Sequence, residues 1–188
     1  PTRRSSDLVC PVQAIVNPGF ENSTDSSWHG VGNLQTTTAT FHSGSKSKGL
    51  EMLPLTPFTP NPVVALYQTI LVCPNSLYKA EFWVRPVILP PAANCIISLG
   101  TVDLSGPSPI YSTNLGSSPL RNTGPFSYLA FPYTPTSSSV TLSVSVSCVT
   151  ARLSGIIMLY IDDFTLTLSS GVPAVTTNCV STTATSTT

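Results

Sequence analysis

Two short segments near opposite ends of the chain carry the carboxylates best placed for shared chemistry. Glu21 ends the first segment, residues 17–21 (NPGFE), and Asp162 and Asp163 lie in the second, residues 160–164 (YIDDF). If the first and last strands of a domain lie side by side, these carboxylates can share one cation. Calcium prefers several oxygen ligands of this kind. The alternative interpretation is that all three acids are solvated strand ends.

Composition limits the partners that the chain can have. A chain of 188 residues fits one domain. Only 9% of the residues are charged and the net charge is zero, which argues against nucleic acid as a partner, because nucleic acid demands a basic face. No apolar run reaches the ~18–20 residues that a membrane span needs. The sequence therefore predicts neither a nucleic-acid partner nor a membrane span.

Several features are typical of a secreted protein, extracellular or associated with a cell wall. Five cysteines in a weakly charged chain indicate an oxidising compartment. The sequence begins at Pro1 rather than Met, which is expected of a processed product. Residues 22–24 (NST) form an N-glycosylation sequon, so Asn22 is a candidate acceptor.

Alternating residue patterns predict an all-β protein. Residues 140–148 alternate apolar side chains with Ser and Thr, which indicates a strand with one buried face. Residues 101–135 are interpreted as loop-rich. Such short strands, separated by turns, predict a jelly-roll β-sandwich of two antiparallel sheets, with the first and last strands paired antiparallel. The expected strands are 12–16, 35–41, 50–53, 63–72, 78–87, 95–100, 140–148 and 156–168.

The same patterns divide the chain into three parts. Residues 1–11 are expected to be an extended N-terminal segment, and residues 12–168 the sandwich. Residues 169–188 are rich in Ser and Thr and resemble a tail or linker, because they have little to bury.

The order of segments resembles the family 4/9 type of carbohydrate-binding module, in its secreted fungal form, over roughly residues 10–168. This resemblance implies a galactose-binding-like jelly roll. It also implies a structural calcium, with Glu21 and either Asp162 or Asp163 as side-chain ligands and carbonyls of residues 43–48 completing the site. The proline-rich segment 54–62 and the C-terminal tail depart from the family pattern. The matching segments are NPGFE (17–21), Trp28, SGSKS (43–47), LYQTI (66–70), CPNSLYKAEFWVR (73–85) and YIDDFTL (160–166), with the Cys95 and Cys148 strands.

One aromatic side chain has the setting of a sugar-stacking platform. The alternation in residues 78–87 puts Trp83 on the wet face, between Glu81 and Arg85. Aromatic rings in sugar sites stack on pyranose faces while polar groups fix the hydroxyls. Tyr67, on the preceding strand, is expected to be a neighbour. The alternative is that the 101–135 segment covers Trp83, which then only packs.

The cysteines predict one disulfide and leave a second one open. Cys95 and Cys148 share the inward parity of two strong strands, and the family resemblance also places them together. Cys10 then pairs with either Cys73 or Cys179. Either choice leaves one thiol over, free or linked between molecules.

The sequence predicts binding rather than catalysis. The chain has two histidines, both in predicted loops, and neither a nucleophile elbow nor a zinc-binding spacing. We therefore expect a secreted, non-catalytic carbohydrate-binding module that acts on a cell-wall or extracellular glycan. The alternative is a self-assembling subunit of an extracellular fibre, coat or adhesin. Its neutral surface limits repulsion between copies, and its C-terminal tail could add a strand to a neighbour.

Overall fold

The structure of the protein is a computed structural model. It describes residues 10–22, 24, 26–52, 63–88, 94–103, 106–115, 124–148 and 156–169. Within these ranges there is no α-helix, and hence no helix long and apolar enough to cross a membrane.

The described residues form ten strands in two five-stranded sheets, in which every strand pair is antiparallel. Sheet I has the order β2-β3-β10-β5-β8, and sheet II has the order β1-β4-β9-β6-β7. The predicted all-β sandwich of two antiparallel sheets is confirmed. The strands are β1 (His29–Val31), β2 (Asn33–Thr37), β3 (Ser47–Met52), β4 (Val63–Leu71), β5 (Tyr78–Ile88), β6 (Cys95–Asp103), β7 (Gly106–Asn114), β8 (Ser127–Tyr133), β9 (Ser139–Cys148) and β10 (Ile157–Leu168).

The core lies between the two sheets and follows the alternation of the sequence. On β5, Phe82 and Val84 are fully buried, and on β9 so are Val144 and Val146. Burying each such side chain stabilises the fold by roughly 1.5–3 kcal/mol. The residues between them point outward, so each sheet also presents one face away from the core.

The predicted first strand, residues 12–16, is present only as a single bridge. Gln13 pairs antiparallel with Thr167, so the predicted adjacency to the last strand is confirmed, but the predicted length is wrong. The Gln13 side chain explains the interruption. Its Oε1 accepts a hydrogen bond from the Leu166 amide at 2.8 Å, in place of a backbone acceptor.

The prediction that residues 101–135 are loop-rich is wrong, because this segment contains β7 and β8. Both strands contain proline, which has no amide hydrogen to donate. Because proline is uncommon in strands, this composition led to the prediction of a loop. Both are edge strands, where a missing donor leaves no unpaired partner inside the sheet. They are held there by pairing with β6 and β5 respectively.

The described cysteines form two disulfides. Cys95 and Cys148 are direct partners in the β6–β9 register and are bonded, as predicted. Cys10 is bonded to Cys73, which decides between its two predicted partners. Cys179, the segment 54–62 and all of the 169–188 tail except Ser169 lie outside the described residues. So does most of the 1–11 segment.

Candidate functional site

The three acidic residues singled out from the sequence meet at one place, which we call the acidic junction. A Cβ atom built on Gly19 would lie 3.4 Å from Asp163 Oδ1 and 3.9 Å from Asp162 Oδ1. The same atom would lie 3.8 Å from Glu21 Cγ. All three acidic side chains therefore lie close to Gly19.

A break in β10 directs the two aspartates. The β10–β5 register shifts between Asp162 and Thr165, and Asp163 has a φ of 49°, a left-handed conformation that Asp tolerates better than most residues. The Phe164 amide bonds the Pro18 carbonyl at 2.9 Å. Irregularities of this kind re-aim side chains, and here the result is that neighbouring aspartates both face the loop that precedes β3.

That loop binds Glu21 through its backbone and one hydroxyl. The amides of Ser45 and Lys46 donate to Glu21 Oε1 at 2.7 and 3.0 Å, and Ser45 Oγ donates to Oε2 at 2.6 Å. These bonds hold the pKa of Glu21 below its ordinary value, and the Ser45 hydroxyl contributes most. Gly44 has a φ of +65°, and a Cβ there would collide with Glu21 Oε1, so a side chain at this position would be strained and would displace the Glu21 carboxylate.

The two aspartates bind the start of the same loop. Asp162 is fully buried, and its Oδ2 accepts the amides of His42 and Ser43 at 2.7 and 3.2 Å. Burial raises the pKa of Asp162 above its ordinary value, against the opposing effect of these amides. Asp163 Oδ2 lies 2.7 Å from His42 Nδ1, and its Oδ1 accepts the Ser43 hydroxyl at 2.6 Å.

The acidic junction has the donor chemistry that calcium prefers, namely carboxylate and hydroxyl oxygens. In the described arrangement, however, the Glu21 and Asp162 carboxylate oxygens accept hydrogen bonds from the loop. The Lys46 ammonium also bonds the Glu21 carbonyl at 2.6 Å. No three His, Cys, Asp or Glu side chains of the described residues form a metal-binding group. A structural calcium held by Glu21, Asp162 and Asp163 therefore stays a prediction.

Trp83 lies on the outward face of sheet I, which we call the Trp83 face. Its indole stacks on the His42 imidazole, with ring centroids 3.8 Å apart and an angle of 13° between the planes. The Tyr128 ring, from the adjacent β8, lies 5.3 Å from the indole. One side of Trp83 is thus already covered, and Tyr128 is the more exposed aromatic, with 44% of its surface accessible.

The two charged residues predicted to flank Trp83 are on this face but differ in their partners. Glu81 forms an ion pair with Lys79 at 2.6 Å and accepts a hydrogen bond from the Tyr128 hydroxyl. Arg85 donates from Nη1 to the Thr40 hydroxyl at 3.0 Å, while its Nε is buried without a hydrogen-bond partner.

Tyr67 is not a neighbour of Trp83, which corrects the sequence-based expectation. The two residues belong to consecutive strands, but β4 lies in sheet II and β5 in sheet I. A chain that crosses from one sheet to the other gives no cross-strand contact between those strands. Tyr67 points outward from sheet II, and we call this surface the Tyr67 face.

One row of residues crosses the Tyr67 face, and we refer to the surface along this row as the Tyr67 groove. Tyr67 contacts the His29 ring at a centroid distance of 5.8 Å. A Cβ on Gly100 would meet the Ser108 carbonyl oxygen at 2.3 Å, so the backbone of β7 closes over the place where a side chain would stand. In register order, the row is His29, Tyr67, Ser143, Gly100 and Pro109.

Hydroxyl groups surround this row. Thr69 and Thr141 are hydrogen-bonded to each other at 2.9 Å, as are Ser98 and Ser112 at 2.8 Å. The Ser143 hydroxyl, between them, is buried and has no hydrogen-bond partner. Buried polar groups are normally satisfied, so this hydroxyl is an exception among the described residues, and with Ser143 fully buried it lies beneath the surface of the row. The period-two pattern of β9 could have identified these residues, but only as polar surface.

Asn22 is exposed, as a glycosylation acceptor must be. Its side-chain oxygen accepts bonds from the Thr24 amide and hydroxyl at 3.1 and 2.8 Å. The Asn17 side chain also holds the Asn22 backbone through two hydrogen bonds. Glycosylation at Asn22 stays a prediction.

Comparison with solved structures identifies the fold class. No protein-family model and no curated protein sequence matches this chain. A family 61 carbohydrate-binding module, solved with β-1,4-galactotriose, is 20% identical with a TM-score of 0.57, over 84% of this chain and 99% of its own. A family 22 xylan-binding domain from Paenibacillus barcinonensis is 14% identical, with a TM-score of 0.52, over 82% and 93% of the two chains.

A third similar structure is the C-terminal family 22 carbohydrate-binding module of a Clostridium thermocellum protein. It is 17% identical, with a TM-score of 0.52, over 94% of this chain and 99% of its own. The fold is therefore the β-sandwich of carbohydrate-binding modules. Membership of family 4/9 and a fungal source stay predictions.

Proposed function

We propose that this protein is a non-catalytic carbohydrate-binding module that holds a neutral polysaccharide in the groove of the Tyr67 face. The observation that carries the proposal is the row of Tyr67, Ser143 and Gly100 across the middle of sheet II. It combines an aromatic ring and strand hydroxyls with the backbone of β7, which occupies the place of a Gly100 side chain. Sugar sites need a ring for the pyranose face and polar groups for the hydroxyls.

The groove supplies both kinds of contact. Tyr67 and His29 form one wall, and the β7 backbone at Ser108 closes the other side of Gly100. Between these walls, the half-buried Thr141 presents its hydroxyl together with that of Thr69, whereas Ser143 is buried beneath them. A sugar stacked on Tyr67 can therefore bring its own hydroxyls to the strand hydroxyls.

The chemistry of the groove favours binding over hydrolysis. The described residues of this row and of its two flanking rows include no Asp or Glu. Glycosidic hydrolysis ordinarily uses two carboxylates that flank the scissile bond. The similar structures support the same conclusion, since one holds β-1,4-galactotriose and another is a xylan-binding domain.

A secreted location is part of this proposal. The Cys95–Cys148 and Cys10–Cys73 disulfides support it, because disulfides persist in oxidising compartments. The glycan would then lie in a cell wall or extracellular matrix. Self-association through the tail, and with it the fibre alternative, has no support from any described contact and stays a prediction.

The test is binding of neutral oligosaccharides. We expect the protein to bind β-1,4-galactan or xylan oligosaccharides in isothermal titration calorimetry. Tyr67→Ala should weaken binding about tenfold or more, as loss of a central aromatic contact does. Tyr128→Ala, on the opposite sheet, is the matched control and should bind normally. Failure of both oligosaccharides to bind, or normal binding by Tyr67→Ala, would contradict the proposal.

A further inference from the structure

The Trp83 face carries two neighbouring rows of side chains that run across the strands. Tyr160 on β10 is the register partner of Arg85 on β5, and Trp83 is the partner of Tyr128 on β8. On the other side, a Cβ on Gly49 of β3 would lie 3.2 Å from the Tyr160 ring, so this ring covers β3 as well. Neighbouring strands are ~4.8 Å apart, so an extended ligand lying across them meets side chains from successive strands.

The carboxylates of this face are already bound. Glu81 is held by Lys79 and by the Tyr128 hydroxyl. Glu51, at the far end of the face, accepts hydrogen bonds from the side-chain amides of Asn33 and Gln35. Neither carboxylate therefore forms an ion pair with Arg85.

Arg85 is the cation of this face whose charge no described carboxylate neutralises. The ion pairs among the described residues are His42–Asp163 and Lys79–Glu81. Among the described residues, Arg85 has one side-chain hydrogen bond, to the neutral Thr40 hydroxyl, and its buried Nε has no partner. A partly buried charge without a counter-charge is costly, and an anionic ligand would supply the counter-charge.

The geometry of Arg85 suits a carboxylate. A guanidinium presents a rigid fork of donors that matches the two oxygens of a carboxylate. On the adjacent β8, opposite Trp83, the Tyr128 ring is exposed, and the Lys79 ammonium lies 5.6 Å from its centroid. Trp83, covered on one side by His42, is a positioning residue that holds the Tyr128 ring in place.

We propose that the Trp83 face is a second glycan-binding surface, which recognises an acidic polysaccharide by pairing a uronate carboxylate with Arg85 and stacking a sugar ring on Tyr128. This surface lies on the sheet opposite the Tyr67 groove and does not depend on it. The ligand class is a polyuronate, whereas the Tyr67 groove takes a neutral chain.

The experiment compares polygalacturonate with neutral β-1,4-galactan in affinity electrophoresis. The unmodified protein should be retarded by polygalacturonate, and added salt should weaken this retardation because screening weakens exposed ion pairs. Arg85→Gln should lower the affinity for polygalacturonate about tenfold. Arg85→Lys keeps the positive charge but lacks the forked pair of donors. Its affinity for polygalacturonate should therefore lie between those of the unmodified protein and Arg85→Gln.

Two further variants separate this face from the Tyr67 groove. Tyr128→Ala, at an exposed position, should also weaken polygalacturonate binding, and it keeps the test valid if Arg85→Gln does not fold. Tyr67→Ala should leave polygalacturonate binding unchanged. Three outcomes overturn the inference: no retardation by polygalacturonate, normal retardation of folded Arg85→Gln and Tyr128→Ala, or loss of retardation in Tyr67→Ala.

Discussion

The imidazole of His42 lies flat against the indole of Trp83, 3.8 Å from centroid to centroid. The same imidazole bonds Asp163 through Nδ1 at 2.7 Å, and the His42 amide bonds Asp162. One residue of the loop before β3 therefore joins the acidic junction to the Trp83 face. The conformation of that loop and the position of the indole depend on each other.

Replacing His42 should therefore disturb Trp83. His42→Ala removes the stacked pair, which is worth about 0.5–1.5 kcal/mol beyond its buried area. We expect a lower melting temperature and a changed tryptophan emission spectrum. His29→Ala is the control, because the His29 ring contacts Tyr67, with ring centroids 5.8 Å apart. This variant should leave the emission spectrum unchanged. An unaltered spectrum in His42→Ala would show that the stacked arrangement does not persist in solution.

Gly100 should tolerate no side chain. A Cβ there meets the Ser108 carbonyl oxygen at 2.3 Å, and backbone cannot move aside as a side-chain tip can. Gly100→Ala should cost about 1–3 kcal/mol of unfolding free energy, measured by urea denaturation. Gly19→Ala, where the nearest atom would lie at an ordinary 3.4 Å, should cost less. If both variants lost the same unfolding free energy, the close approach of the Ser108 backbone to Gly100 would be contradicted.

The Cys95–Cys148 disulfide should make a large contribution to stability. It closes a loop with a sequence separation of 53, for which the chain-entropy model gives about 4 kcal/mol. A Cys95→Ala/Cys148→Ala double variant should show this loss in the free energy of unfolding. Non-reducing peptide mapping of the unmodified protein should recover both the 95–148 and the 10–73 pairs, and a native thiol reactive at Cys95 or Cys148 would refute the bond.

A calcium ion at the acidic junction should be detectable through stability. If it binds, a chelator should lower the melting temperature, because a ligand at 100 times its dissociation constant stabilises the fold by about 2.7 kcal/mol. Glu21→Gln should reduce the shift caused by added calcium. If neither the chelator nor added calcium shifts the melting temperature of the unmodified protein or of the variant, the calcium prediction is wrong. The loop amides and Lys46 would then neutralise the acidic junction without a metal.

Tyr133 should limit stability at alkaline pH. Burial raises the pKa of Tyr133 above its ordinary value of 10.0. The unfolded chain therefore releases this proton before the folded protein does, so stability falls as the pH rises past about 10. Tyr133→Phe lacks the ionising group and should lose less stability between pH 9 and 11 in thermal melts. Identical pH profiles for the two proteins would exclude this effect.

The alternation of buried and exposed residues allowed much of the fold to be predicted from the sequence. It located β5 and β9 closely and gave the correct parity for Cys95 and Cys148. It failed at β7 and β8, because Pro109 and Pro132 break the usual strand composition. Proline is compatible with an edge strand, and edge position depends on the sheet order, which a local pattern does not contain.

The candidate sites were predicted less completely. The meeting of Glu21 with Asp162 followed from the expectation that the chain ends pair. The separation of Tyr67 from Trp83 did not, because a local pattern does not show which consecutive strands share a sheet. The contact of His42 with Trp83 was missed for a similar reason. It depends on how a loop packs against a distant strand, and loop sequences carry little information on that.

Sheets I and II are stacked, and their outer surfaces point in opposite directions. Two polymers bound to these surfaces would be separated by the thickness of the sandwich, where sheets lie ~10 Å apart, and neither could displace the other. A single copy of the protein would then bridge an acidic and a neutral polymer. Because each copy would raise the local concentration of one polymer around the other, a mixture of the two should thicken on addition of the protein.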